Sequence, residues 1–281
     1  MCDAPRRYVA HRVAMTLHVS ALQLKFTHAP TPQACFDHAR APMERAVADG
    51  AQLVVLPNTA APIPRDAYAD FFSALAARLQ IYLAPGTVIE RDGEVRYNTA
   101  YLFAPDGKIV GAQRQTHRTP AEIARGLAQG DELRVFDIGI ARVGFVIGTD
   151  VEYPEVSRIL ALQGANVLLH PAAYGSWSAQ HFLFDLWREV QSNQVFGVQA
   201  CAVGQGQSAI YAPVEMTDDH QGDLGQRGFL AQAELTDAEE IVSATLDFEA
   251  LQKVVAGYPI FDFFNCAFYE REFPEVYRQS K

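Results

Sequence analysis

GFVIGTDVEYPE, residues 144–155, decides how this chain is read. Phe145, Val146 and Ile147 form an apolar run that reads as a buried strand. Gly148-Thr149-Asp150 reads as a sharp turn, and a helix opens near Tyr153-Pro154-Glu155. A strand that enters a helix through a tight elbow commonly presents a nucleophile. The residue at this elbow is Gly148, which has no side chain. The stretch therefore raises the question whether the chain is an enzyme at all.

Strand-like and helical stretches alternate on both sides of the elbow. TLHVSALQL (16–24) alternates as a strand does, 32–50 has helical spacing and stops on Gly50, and AQLVVLP (51–57) is the continuous run of a strand covered on both faces. Asp66 to Gln80 reads as a helix and IYLAPGTVIE (81–90) as one strand. Asp92-Gly93 and Asp106-Gly107 mark hairpin turns. A helical piece near 119–128 precedes the hairpin-like pair ELRVFDIG (132–139) and ARVGFVIG (141–148). Tyr153 to Gly164 and Ser178 to Asn193 read as helices, and 165–171, 194–204, 207–213, 226–234 and 240–247 as strands. The aromatic tail 261–279, with Phe261, Phe263, Phe264, Phe268 and Tyr269, reads as irregular and is expected to dock on the core or across a dimer interface. This pattern predicts α/β layers around one or two sheets, in a single domain from 15 to 281. Residues 1–14 read as a flexible extension, or as upstream of a true start at Met15.

Composition sets bounds. The chain has 281 residues, 49% hydrophobic and 20% charged, which is ordinary for a globular protein with a sizeable core. A formal net charge of −10, from 33 acidic and 23 basic residues, argues against nucleic acid or an anionic membrane as partner. No apolar run approaches the roughly 18–20 residues of a membrane span. The start lacks the apolar segment of a secretory signal. Cys2, Cys35, Cys201 and Cys266 are scattered without metal spacing, which predicts unpaired thiols in a reducing cytoplasm and no metal or other cofactor.

Three segments, taken in order, carry a family resemblance. LVVLPNTAAP (53–62), KIVGAQRQTHRTPAE (108–122) and the elbow itself resemble the nitrilase, or carbon–nitrogen hydrolase, superfamily over most of the chain from about Met15. The resemblance implies a four-layer αββα sandwich, and pairing of two protomers through their α faces into a homodimer or larger assembly. It also implies a glutamate general base, an oxyanion-stabilising lysine and a cysteine nucleophile at the positions held here by Asn58, Gln115 and Gly148. An amide does not take a proton from a thiol at useful pH, a glutamine brings no positive charge, and a glycine forms no thioester. His117 matches a family histidine and Glu122 a second glutamate. Asp150, Pro154 and Glu155 are retained. ANVLLHPAAYGSW (165–177), SNQVFGVQACAVG (192–204) and GQSAIYAP (206–213) resemble later family segments.

Several residues invite competing readings. Cys201, at a predicted strand end, is a relocated nucleophile or, preferably, a small packed hydrophobe. His117 and Glu122 form a water-activating pair or, preferably, a loop histidine and a glutamate early in a helix. Asp218, Asp219, His220 and Asp223 suggest a metal site less than a solvated loop. Trp187 reads as core. Tyr174 and Trp177 line a pocket or lie on the surface, and Thr149 joins them as a ligand-contact candidate. Three functions follow: a pseudoenzyme that binds a small amide, carboxylate or amine or acts through protein contacts; a C–N hydrolase working through Cys201 or a water held by His117 and Glu122; and a structural subunit paired with an active paralogue.

Overall fold

A computed structural model describes residues 16–25, 32–58, 63–174, 185–217 and 227–279. The alternating segment forms strand β1 (Thr16–Gln23), parallel to β2 (Leu53–Val55) and antiparallel to β13 (Glu240–Asp247). β3 (Tyr82–Ala84), β4 (Thr87–Asp92), β5 (Val95–Phe103) and β6 (Ile109–Arg114) complete this sheet, in the order β13-β1-β2-β3-β5-β4 with β6 on β5. The second sheet runs β12-β11-β10-β9-β8-β7. Its strands are β7 (Val135–Asp137), β8 (Arg142–Phe145), β9 (Val167–Ala172), β10 (Phe196–Cys201), β11 (Ala209–Tyr211) and β12 (Phe229–Gln232).

The period of two decides the layering. Leu17, Val19 and Ala21 of β1 share one core with Val143 and Phe145 of β8, Val167 and Leu169 of β9, and Phe196, Val198 and Ala200 of β10. The two sheets therefore face each other through alternate residues. On the first sheet's outer face, Leu22, Val54 and Leu83 pack on Phe36 and Met43 of α1 (Pro32–Ala48) and on Phe72 and Leu75 of α2 (Arg65–Leu79). On the second sheet's outer face, Val146, Leu168 and Tyr211 pack on Val156 and Leu160 of α4 (Pro154–Leu162) and on Leu186 and Val190 of α5 (Leu186–Asn193). The short α3 (Pro120–Ala124) follows β6. This is the αββα sandwich that the resemblance implied.

Two readings of the sequence need correction. The run 81–90 is two strands, not one, broken at Pro85-Gly86. Gly86 has φ +75° and lies so close to the other chain segment that an added Cβ would stand 2.0 Å from the Pro57 carbonyl oxygen. The tail is regular: α6 (Phe248–Gly257) is followed by α7 (Cys266–Gln279), which contains Pro274. α7 lies against α4, with the Tyr277 hydroxyl donating to Glu155 and the Arg158 guanidinium 4.9 Å from the centroid of Phe261. Cys266 is disulfide-bonded, contrary to the expectation of four unpaired thiols. Among the described residues no helix is long and apolar enough to cross a membrane. The expected extension 1–14 lies outside the described residues, as do Trp177, Asp218, Asp219, His220 and Asp223.

Candidate functional site

The elbow lies where the ends of the two sheets meet. β8 continues through Val146, whose N–H donates to the Leu169 carbonyl at 2.9 Å, and a 3-10 turn Gly148–Glu152 then leads into α4. Gly148 has φ +51°, a left-handed value that a side chain resists. From the first sheet, Asn58 follows β2 and its N–H reaches the Ala172 carbonyl at the end of β9, 3.4 Å away. Gln115 follows β6 and is buried. A Cβ placed on Gly148 would stand 3.6 Å from Gln115 Nε2 and 3.7 Å from Asn58 Nδ2. Three residues separated widely in sequence thus converge on one point, and the space there would admit a small side chain at ordinary contact distance.

The two amides are fixed by their neighbours. Asn58 Oδ1 accepts from the Thr87 hydroxyl. Gln115 Oε1 accepts from Asn98 Nδ2 at 2.6 Å, which turns Nε2 toward the His117 carbonyl (2.6 Å), Thr149 Oγ1 (3.0 Å) and Glu122 Oε2 (3.2 Å). Glu122 Oε2 also accepts from the Thr119 N–H and hydroxyl, closing a capping box at the start of α3. His117 is held through its other side: Nδ1 lies 3.1 Å from Asp150 Oδ1, and the ring stacks on Tyr153 with centroids 3.6 Å apart. Asp150 is fully buried and accepts from the Thr116 N–H and hydroxyl and the His117 N–H, at 2.7–3.1 Å. His117 and Glu122 thus both serve the loop's architecture, and Gln115 stands between them.

Cys201 lies on the helix-facing side of β10, fully buried, a free thiol. Burial pushes the thiol well above its usual range, and the neighbouring Asp185 adds to the rise. Gly206 covers it so closely that an added Cβ there would stand 2.6 Å from Sγ. A thiol so covered has neither the access nor the charge of a nucleophile. Tyr174, half-buried, adjoins it, with its hydroxyl 2.7 Å from His170 Nε2. His170 Nδ1 donates to the Val146 carbonyl at 2.6 Å, and burial depresses the imidazole to about 4. Trp187 packs at the edge of the outer core and donates to the Arg227 carbonyl at 2.9 Å. Among the described residues no group of three or more His, Cys, Asp or Glu is placed to hold a metal.

Asp185, the N-cap of α5, accepts from the Leu186 N–H at 2.8 Å and the Tyr211 hydroxyl at 3.0 Å, and burial raises it to about 7. Between about pH 4 and 7 the folded chain keeps a proton that the unfolded chain has released, so this group's contribution to stability falls as pH rises. Asp185→Asn keeps the cap and removes the titration. The stability of the variant relative to the parent is expected to rise by roughly 2–4 kcal/mol from pH 4.5 to 8 in urea unfolding. A flat difference across that window would contradict the assignment. His170 contributes the opposite slope below about pH 6.5 and is common to both proteins.

Sequence reading did not single out Thr87, Asn98 and Tyr153. Asn98 carried a signal: it precedes Ala100 and Leu102 on the inward row of β5, where a lone amide among apolar neighbours needs a partner.

A carbon–nitrogen hydrolase family profile matches residues 18–215. Similar proteins include a nitrilase of Pyrococcus abyssi, 35% identical over 50% of this chain and 59% of its own length. A citrullinase of Francisella tularensis is 29% identical over 65% of this chain and 66% of its own length. An omega-amidase of Bos taurus is 28% identical over 77% of this chain and 79% of its own. The chain thus spans less than two thirds of the length of the first two. Saccharomyces cerevisiae Nit3, of the nitrilase superfamily, superposes with a TM-score of 0.76 at 22% identity, covering 90% of this chain and 98% of its own. A carbon–nitrogen hydrolase from Helicobacter pylori superposes with the same score.

Proposed function

We propose, given that this chain belongs to the carbon–nitrogen hydrolase family, that its elbow holds a small polar ligand without forming a covalent intermediate. The observation behind this reading is the convergence of two amides, Asn58 and Gln115, on a glycine. These are the positions at which the resemblance implies a glutamate, a lysine and a cysteine. Acyl transfer needs a nucleophile, a base and an oxyanion donor within reach of one another. Here the nucleophile is absent, the base is replaced by a group that cannot accept a thiol proton, and the oxyanion donor has lost its charge. The nearby thiol, Cys201, is sealed in the core.

The relatives' names favour a second reading: hydrolysis of a small amide. Its route would be a water in the space beside Gly148, with Glu122, 3.2 Å from Gln115, as base. An assay of the purified chain on small ω-amides, nitriles and carbamoyl compounds separates the two. The expected result is no turnover above the uncatalysed rate. Turnover of about 1 s⁻¹ or more, abolished by Glu122→Gln, would establish the second reading.

We also propose that two copies pair through α4 and α5, with α7 at the rim. Ile159, Phe273 and Tyr277 are 42%, 44% and 48% exposed around an apolar groove of about 690 Å³. Glu155 and Arg158 bring both charge signs to that groove, which lets copies related by a two-fold axis match opposite charges. Sedimentation velocity is expected to show a dimer that Ile159→Asp converts to monomer. A monomeric parent would refute the pairing.

A further inference from the structure

A cavity of about 300 Å³ opens where β4, β5 and β6 meet the loop that follows α3. The period of two separates it from the elbow. Thr99 pairs with Val88 and with Arg114, on the face of the sheet where Val88 and Tyr101 pack on α2. Asn98 and Gln115, the neighbours of Thr99 and Arg114 in the chain, serve the elbow instead. Buried Gln113 fixes the loop to β6: its Nε2 donates to the Glu132 carbonyl, and its Oε1 accepts from the Arg134 N–H at 2.9 Å. The Gly130 N–H donates to the Gln115 carbonyl at 2.7 Å, and an added Cβ on Gly130 would stand 2.8 Å from the Arg114 carbonyl oxygen. Asp131, Glu132 and Arg134 are thereby held at the cavity with Thr99, Glu90 and Arg114 before any ligand arrives.

Several polar groups here are unspent among the described residues. The Thr99 hydroxyl is fully buried and has no hydrogen-bond partner, a cost that a ligand's polar atom would remove. The Arg114 guanidinium uses Nε on Glu90 (3.2 Å) and Nη2 on Asp92 (2.8 Å), which leaves both hydrogens of Nη1. Arg134 uses Nη2 on Glu132 (2.6 Å), which leaves Nε and Nη1. Asp131 is exposed and makes neither an ion pair nor a side-chain hydrogen bond. Two guanidinium groups with free N–H edges fit one carboxylate, and an unpaired carboxylate fits an ammonium. We propose that this cavity binds a small zwitterionic α-amino acid, its carboxylate between Arg114 and Arg134, its ammonium on Asp131, and a short polar side chain toward Thr99. A plain anion would face Glu90, Asp131 and Glu132, and a plain cation would face the two arginines, whereas a zwitterion meets both signs at once. The volume is at the low end for ligand sites and suits an amino acid, not a nucleotide. The site is separate from the elbow and does not depend on what the elbow binds.

The test titrates the full chain with L-homoserine, with 4-hydroxybutanoate, which lacks the ammonium, and with 3-aminopropan-1-ol, which lacks the carboxylate. Protein-observed NMR at about 0.15 M salt, where diffuse attraction to the acidic surface is screened, gives the affinity and the place. Homoserine is expected to bind at least about tenfold more tightly than either fragment, with the largest shifts at the Thr99, Arg114 and Asp131 amides. Asp131→Asn and Arg134→Gln change exposed side chains, which the fold tolerates, and each is expected to weaken homoserine at least about tenfold. Thr99→Val removes a hydroxyl that no protein group uses and is expected to weaken it by about three- to tenfold. Glu122→Gln, at the elbow, is expected to leave it unchanged. Equal affinity for the three probes, shifts confined to the elbow, unchanged affinity in Asp131→Asn and Arg134→Gln, or no binding up to about 10 mM would each overturn the assignment.

Discussion

The triple variant Asn58→Glu/Gln115→Lys/Gly148→Cys is expected to hydrolyse small amides at least about 10³-fold faster than the parent. The three changes act as one unit, so each single variant is expected to gain little. The first atom of a side chain at 148 is accommodated: the nearest atoms to an added Cβ there are side-chain nitrogens at 3.6 and 3.7 Å, within ordinary contact. Strain is modest, because a left-handed residue with a side chain costs about 1–2 kcal/mol. A lysine at 115 would offer three donors to the three acceptors that now compete for two hydrogens. Its cost is Asn98, whose Nδ2 loses its acceptor, at about 1–3 kcal/mol. The variant should therefore gain activity while losing some thermal stability. Steady-state kinetics on a panel of short ω-amides reads the first and a melting curve the second. A folded variant no faster than the parent would show that the pocket around the elbow no longer accepts an amide in a reactive pose.

Asp150→Ala is expected to destabilise the fold by about 3–5 kcal/mol, the largest loss from any single change at the site. The carboxylate is fully buried and receives the Thr116 N–H, the Thr116 hydroxyl and the His117 N–H. Alanine leaves the Thr116 and His117 N–H groups without their carboxylate acceptor, and each unsatisfied donor is costly. It also frees the His117 ring from one of its three restraints, leaving the 3.0 Å contact of Nδ1 with the Thr116 hydroxyl and the stack on Tyr153. Asp150→Asn should cost less, since one oxygen remains to accept. Urea unfolding at pH 7 measures both, and a loss under about 1 kcal/mol for alanine would mean that the loop is held by something else.

The alternating α/β layers could be read in the sequence because the strands obey the period of two, as in Leu17, Val19 and Ala21, and a helix stops at Gly50, whereas the four-layer sandwich was implied only by the family resemblance. The break at Gly86 was hidden, because what breaks the strand is the Pro57 carbonyl, a neighbour from another segment. The tail misled for a related reason: Pro274 and dense aromatics look irregular in one dimension, and only packing on α4 makes them a helix. At the elbow, Asn58, Gln115, Gly148, His117, Glu122 and Thr149, all named from motifs, lie close together. Their supports, Thr87 and Asn98, come from hairpin strands with no motif of their own. Cys201 was read correctly as a packing residue, since the backbone of Gly206 is what closes over it.

The elbow takes Gly148 from one sheet and Asn58 and Gln115 from the other. The spacing between them is therefore a gauge of how the two sheets are seated, set at the rim by the 3.4 Å contact between the Asn58 N–H and the Ala172 carbonyl. Side chains such as Val55 and Ile147 act as shims in the shared core. Thinning or thickening one of them changes the reach across the elbow without touching a polar atom there. Tuning by remote apolar substitution is thus available to this site in a way that a site carried on a single strand end would not share.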